Sequence, residues 1–136
     1  RSEGNYAPFQ TVGYPCVKVT HVDRSMLPSY VAARGIRGAV LTIETSEELI
    51  PAREFGWIPR ALGERGLLAE VRAVVVARPP TSDFTTKLSS EQRRQKREEQ
   101  RDTALNVIQE YSPGAVTVVG PRFGHTRPQW IVPMAG

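Results

Sequence analysis

The chain has 136 residues, 40% of them hydrophobic and 24% charged, which is the balance of one globular domain with a real core. Its formal net charge of +4 is too mild to demand nucleic acid, and its single cysteine, Cys16, excludes an internal disulfide and fits a reducing compartment. No apolar run approaches the ~20 residues that span a bilayer. No signal peptide is visible, and a start at Arg1 rather than methionine suits a processed chain or a piece of a longer one.

Residues 1–36 are interrupted by Asn5, Pro8, Gly13 and Pro15, which rule out a long element. Within them Cys16-Val17-Lys18-Val19-Thr20 alternates like a short strand, and Ser25 to Arg34 suits a short helix closed by Gly35. His21 and Asp23 form a His-x-Asp pair, but no third ligand is spaced nearby, so a plain loop pair is the better reading and no metal is expected. The segment reads as an N-terminal linker, or as the tail of a domain whose body lies elsewhere.

The stretch from Arg37 to Glu48 organises the rest. Ala39 to Glu44 is a short, β-branched apolar run entered through Gly38, the pattern of a buried strand, and it stops on a carboxylate. Two readings of Glu44 stay open. In an α/β protein, active-site groups gather at the C-terminal ends of buried strands. Equally, Glu44 can lead into a helix capped by Thr45 or Ser46, with Glu47 and Glu48 facing the positive end of its dipole, and the local pattern favours this second reading.

Ile50, Phe55, Ile58, Leu62 and Leu67 then share one broad face at helical spacing. Pro51 fits the first turn, Pro59 predicts a kink or break, and Gly66 an end, after which Leu67 and Leu68 dock on the core. Trp57 suits a core or rim position better than a ligand-stacking one.

Val71 to Ala77 is a second strand of buried character, stopped by Arg78-Pro79-Pro80. Thr81 to Lys87 is polar loop, and Ser89-Ser90-Glu91 is a helix start. Gln92 to Asp102 is wholly charged or glutamine. Pairs such as Gln95–Glu99 and Arg94–Glu98 make it a solvated helix rather than a nucleic-acid-binding one, because the interleaved acids would oppose phosphate. Leu105, Val107, Ile108 and Tyr111 return it to the body before Pro113-Gly114. Ala115 to Gly120 is a third strand, and Trp130 to Met134 a fourth.

His125 follows the third strand in Phe123-Gly124-His125-Thr126, beside a glycine that lets the backbone bend. Its side chain is of the type suited to proton transfer near neutrality, although a structural or surface histidine is the commoner case. With Glu44 it makes a constellation of known logic: a carboxylate accepts from Nδ1–H, and Nε2 takes a proton from a nucleophile. The nucleophile is missing. None of Ser2, Ser25, Ser29, Ser46, Ser82, Ser89, Ser90 and Ser112 sits in a Gly-x-Ser-x-Gly elbow, and Cys16 has no motif.

Four segments in order, Val40 to Glu48, Leu62 to Leu68, Val74 to Pro79 and Phe123 to Gln129, together resemble the C-terminal domain of the LD-carboxypeptidase family, nearest the branch of the microcin C immunity protein. The resemblance runs from about Gly38 to Gly136 and implies an α/β domain of the swivelling β/β/α kind, with a small, mostly buried sheet and two main helices. It divides the chain into residues 1–36, a segment leading from an absent N-terminal domain, and residues 37–136, the domain itself. It also implies a Ser-His-Glu triad that hydrolyses an amide next to a free carboxylate, with Glu44 and His125 in the last two roles and the serine on the N-terminal domain. The substrate would be a muropeptide L,D-amide or a peptidyl-nucleotide of the microcin type, met in the cytoplasm during peptidoglycan recycling or immunity. No cofactor, metal, nucleic acid or membrane is implied, while a second copy of the chain fits as a partner. Two departures stand out: the charged helix is longer than in the shorter family members, and the family usually adds one more strand after the position of Pro133 to Gly136. Alone, the chain is expected to be inactive. The rival from another class is a non-enzymatic interaction domain that keeps this fold.

Overall fold

The computed structural model describes residues 36–45 and 47–130, together with the backbone of 9–11 and 14–19. The short helix expected over Ser25 to Arg34, the His21/Asp23 pair and Ile131 to Met134 of the expected fourth strand lie outside the described residues. Trp130 itself is not in a strand.

Val40 to Ile43 form β3, Ala73 to Val76 form β4 and Val116 to Val119 form β5, each a β-branched, apolar segment of the kind expected there. Before them come β1, Phe9–Thr11, and β2, Tyr14–Val19. The sheet runs in the order β1-β2-β3-β4-β5, with β1 antiparallel to β2 and every other pair parallel. β2 precedes the division expected at Arg37 yet pairs with β3 across it, Val19 opposite Ile43. In register with them, Ile43 faces Val76 and Val76 faces Val119, so the strands end along one edge.

Helix α1, Ala52–Glu64, links β3 to β4, and α2, Ser90–Tyr111, links β4 to β5. Both crossovers step the same way along the sheet, and right-handed connections then place both helices on one face, where they pack on each other. Phe55, Ile58 and Leu62 of α1 are buried against Leu41, Ile43, Val74, Val76 and Ile108. Each such side chain removed from water stabilises the fold by about 1.5–3 kcal/mol.

The helix expected to start from a cap at Thr45 or Ser46 starts instead at Ala52, with Pro51 as its N-cap residue and Glu54 as the acid of its first turn. The physical reason is twofold. Thr45 is buried at 3% exposure with Glu44, so it continues the strand exit, and Pro51 disfavours helical backbone at Ile50. Nor does Pro59 break α1, which is helical on both sides of it. The end is as expected: Gly66, at φ +75°, and Leu67 donate back to Gly63 and Leu62 in a Schellman pair. The following 3₁₀ turn, Leu68–Glu70, buries Leu68 completely.

α1 meets α2 through glycine. A Cβ on Gly63 would lie 2.2 Å from Cγ of Tyr111, and one on Gly56 would lie 2.8 Å from Cγ2 of Thr103. Arg60 then reaches over the Tyr111 ring, 5.9 Å from its centroid, and donates to its hydroxyl at 3.2 Å.

Ser89 caps α2 as a full capping box with Gln92, and Arg94–Glu98 and Gln95–Glu99 bond as the pattern predicted. Two cations of this helix leave the solvated face. Lys96 donates to the carbonyl of Ile50 at 2.7 Å, and Arg97 turns toward Thr81. β5 also differs from a buried strand: Val116 is 64% exposed, and the face it shares with Val118 is open.

Candidate active site

The common edge where β3, β4 and β5 end carries the site, as expected of a parallel sheet. Backbone bonds stitch the three exits together: Ala77 N–H donates to Ile43, Gly120 N–H to Val76, and Arg78 N–H to Pro121. Glu44 is the first residue beyond β3 and is 2% exposed. The buried strand that leads to it fixes its backbone, and the turn after β5 closes over it.

That turn is shaped for the purpose. Gly124 has φ +79°, in the left-handed region, and a Cβ built on it would fall 1.6 Å from Oε2 and 2.8 Å from Cδ of Glu44. Only glycine lets the loop lie so close. Phe123 anchors the turn from one side, buried at 7% exposure, and Gln129 Nε2 donates to the Gly124 carbonyl from the other.

The next residue, His125, brings Nδ1 to 3.4 Å from Oε2 of Glu44, across 81 positions of sequence. The two residues singled out in the sequence are therefore neighbours, at the long end of hydrogen-bond range. The His125 side chain is 45% exposed, and the described residues offer Nε2 no partner. The arrangement can hold the imidazole by one nitrogen and present the other to an incoming group. Thr45 and Thr126 flank the pair with buried hydroxyls that have no partner among the described residues.

His125 opens on a cleft of about 830 Å³. Its other walls are the loop after β4, from Arg78 to Phe84, and Arg97 of α2. Sequence reading missed Arg78 and Arg97. Arg78 looked like part of a strand stop, and Arg97 was one charge among many. Burial, and after it the Arg122 charge, holds the Arg78 guanidinium below its ordinary pKa; burial, then Arg78, Arg93 and Arg122, does the same to Arg97. Trp57, on α1, is 49% exposed, a rim aromatic rather than a core one. Among the described residues no cluster of His, Cys, Asp and Glu could hold a metal ion, and no helix is long and apolar enough to cross a membrane.

Comparison with known proteins fits this geometry. A family model described as the LD-carboxypeptidase C-terminal domain matches residues 17–136. A crystal structure of muramoyltetrapeptide carboxypeptidase from Oxalobacter formigenes aligns with a TM-score of 0.57 and 22% identity, over 89% of this chain and 38% of that one. At this identity the likeness is one of fold, and the chain spans well under half the length of that enzyme. No curated protein matches.

Proposed function

The chain belongs to the LD-carboxypeptidase C-terminal domain family, and from that premise we propose that it supplies the base and the orienting acid of a serine-type carboxypeptidase. The observation that carries the reading is the Glu44–His125 pair: a buried carboxylate at a strand end, with an imidazole nitrogen 3.4 Å away on a half-exposed side chain that lines a cleft.

In this reading Glu44 accepts from Nδ1–H of His125, which leaves the lone pair on Nε2. A serine hydroxyl brought by an N-terminal domain of the same protein gives its proton to Nε2 as its oxygen attacks the amide carbonyl. The imidazolium, steadied by Glu44, then returns the proton to the leaving amine. Water repeats the cycle to release the acyl group. In this reading the serine and the oxyanion donors are supplied by that domain, which provides the covalent step and the main charge stabilisation. The substrate class is an amide next to a free carboxylate, a muropeptide L,D-amide or a peptidyl-nucleotide, hydrolysed in the cytoplasm.

The test is release of D-alanine or nucleotide by the full-length protein, wild type against His125→Ala. Loss of most of the rate is expected. Equal rates would remove His125 from the chemistry and leave an interaction domain that keeps the fold.

A further inference from the structure

The cleft beside His125 gathers positive charge that the acids of its lining do not pair with. Arg78 and Arg97 line it, and Arg122 stands close enough to act on both electrostatically. Among the described residues no carboxylate pairs with Arg78, Arg97 or Arg122. The two acids of the lining are otherwise placed. Asp83 spends its carboxylate on the N–H groups of Thr85 and Thr86, and Glu47 is exposed with no ion pair among the described residues. Arg97 holds one long bond, Nη2 to Thr81 Oγ1 at 3.4 Å, while its Nε is buried with no acceptor.

A buried guanidinium donor without an acceptor costs free energy, and gathering like charges adds to the cost. On the surface of α2, Arg94 instead pairs with Glu91 and Glu98. An oxyanion in the cleft would relieve both costs at once. A guanidinium fork matches the two oxygens of a carboxylate or phosphate.

We infer that Arg78 and Arg97 form an oxyanion subsite, backed by Arg122, which holds an anionic group of the substrate in the cleft that His125 faces. The group is a carboxylate or a phosphate oxyanion. The subsite deepens the proposed function and rests on that reading only for the identity of the anion as part of a substrate. The anion enters as a ligand and undergoes no chemistry there. Its role is to fix how the scissile amide lies against His125, so Arg78 and Arg97 are positioning residues.

The experiment titrates the 136-residue chain at constant ionic strength with inorganic phosphate and with N-acetyl-D-alanine, using the uncharged N-acetyl-D-alaninamide as control. Calorimetry gives the affinity, and the arginine Nε–H resonances report the contact. Saturable binding that moves the Arg97 resonance is expected, with none for the amide. Affinity should fall about tenfold or more in Arg78→Gln and in Arg97→Gln. Arg97→Lys, which keeps the charge and loses the fork, should fall between, and Arg53→Gln, on the exposed surface of α1, should match wild type. Saturation by phosphate alone assigns a phosphate, by N-acetyl-D-alanine alone a carboxylate, and by both an unselective oxyanion site; each supports the subsite. Absence of saturation with either anion, or undiminished affinity in both glutamine variants, overturns it. Turnover of the full-length protein separates the two readings. Anion binding that depends on these arginines, beside full activity of His125→Ala, removes the catalytic reading alone. The reverse pattern removes the subsite alone.

Discussion

Gly124 and Glu44 approach so closely that the hydrogen on the Gly124 Cα occupies the only space available there: a methyl carbon would sit 1.6 Å from the Glu44 carboxylate oxygen. The backbone at Gly124, φ +79°, separately disfavours any L side chain. Gly124→Ala should therefore push the His125 turn outward. A lower urea midpoint is expected, by about 1–3 kcal/mol for overpacking plus ~1–2 kcal/mol for the left-handed backbone. Activity of the full-length protein should fall further than stability does, since a displacement of the order of 1 Å in a catalytic group costs roughly 10²-fold. Unchanged kinetics in a folded Gly124→Ala protein would show that the turn does not set the pair.

The two members of the pair should differ in what their loss does. In the proposed mechanism His125→Ala removes the base, and Glu44→Gln keeps a contact at Nδ1 but can select the wrong tautomer. In a Ser-His-Asp system the equivalent amide change costs ~10⁴ in rate. We expect Glu44→Gln to cost about the same as His125→Ala or less, with substrate binding surviving both, measured as kcat and KM in the full-length protein. The chain alone should release no product.

The helix interface gives a prediction independent of function. Alanine at Gly63 would gain about 1 kcal/mol of helix propensity. Its Cβ, however, would lie 2.2–2.7 Å from three atoms of the Tyr111 ring, which Arg60 holds in place. Overpacking should win, with a net loss of stability and a shifted Tyr111 signal. Gly63→Ala in a Tyr111→Ala background should be far less harmful than in wild type, and an additive double mutant would refute the contact.

On the outer face of α2, Arg94 sits between Glu91 and Glu98 with its side chain 60% exposed. Exposed pairs of this kind contribute little and are screened by salt. Arg94→Gln should leave the denaturation midpoint almost unmoved at low and high salt. A marked drop would mean that this face is covered in the intact protein.

Asp83 supplies a pH prediction. Its Oδ1 accepts from the N–H of Thr86 and Thr85 and from the Thr85 hydroxyl, which hold its pKa below the ordinary aspartate value. The folded value is the lower one, so the order it gives the loop is complete above the unfolded pKa. That order is lost as pH falls through the folded one. The amide resonances of Thr85 and Thr86 should move together as Asp83 titrates, and amides that stay still would sink the assignment.

Much of this was legible in the sequence because local pattern and tertiary outcome agree. Val40–Ile43, Ala73–Val76 and Val116–Val119 are short apolar runs with punctuated ends, and Ser89 with Gln92 is a capping signature at the required spacing. Glu44 and His125 could be singled out since strand ends and glycine turns mark such positions. The failures are places where a distant segment decides. Thr45 is a good cap residue, yet it is buried at the strand exit, so the helix waits for Pro51. Arg97 resembles its neighbours along α2, and only the loop after β4 folding against it distinguishes it. Val116 and Val118 lie in an apolar run like those of β3 and β4 yet are exposed, and apolar pattern alone cannot tell a covered sheet face from an open one.

The 81 positions between Glu44 and His125 also govern when the site comes into being. Parallel strands cannot pair through a tight hairpin, so β3 meets β4 only once α1 has crossed, and β4 meets β5 only once α2 has. Gly124 reaches Glu44 after the last of these steps, so a chain lacking β3, β4 or β5 has no such pair. In the full-length protein, loss of any activity that depends on this pair should then follow unfolding of the sheet and not a local melt, and the number of assembled pairs in a preparation becomes a head-count of molecules whose sheet has closed.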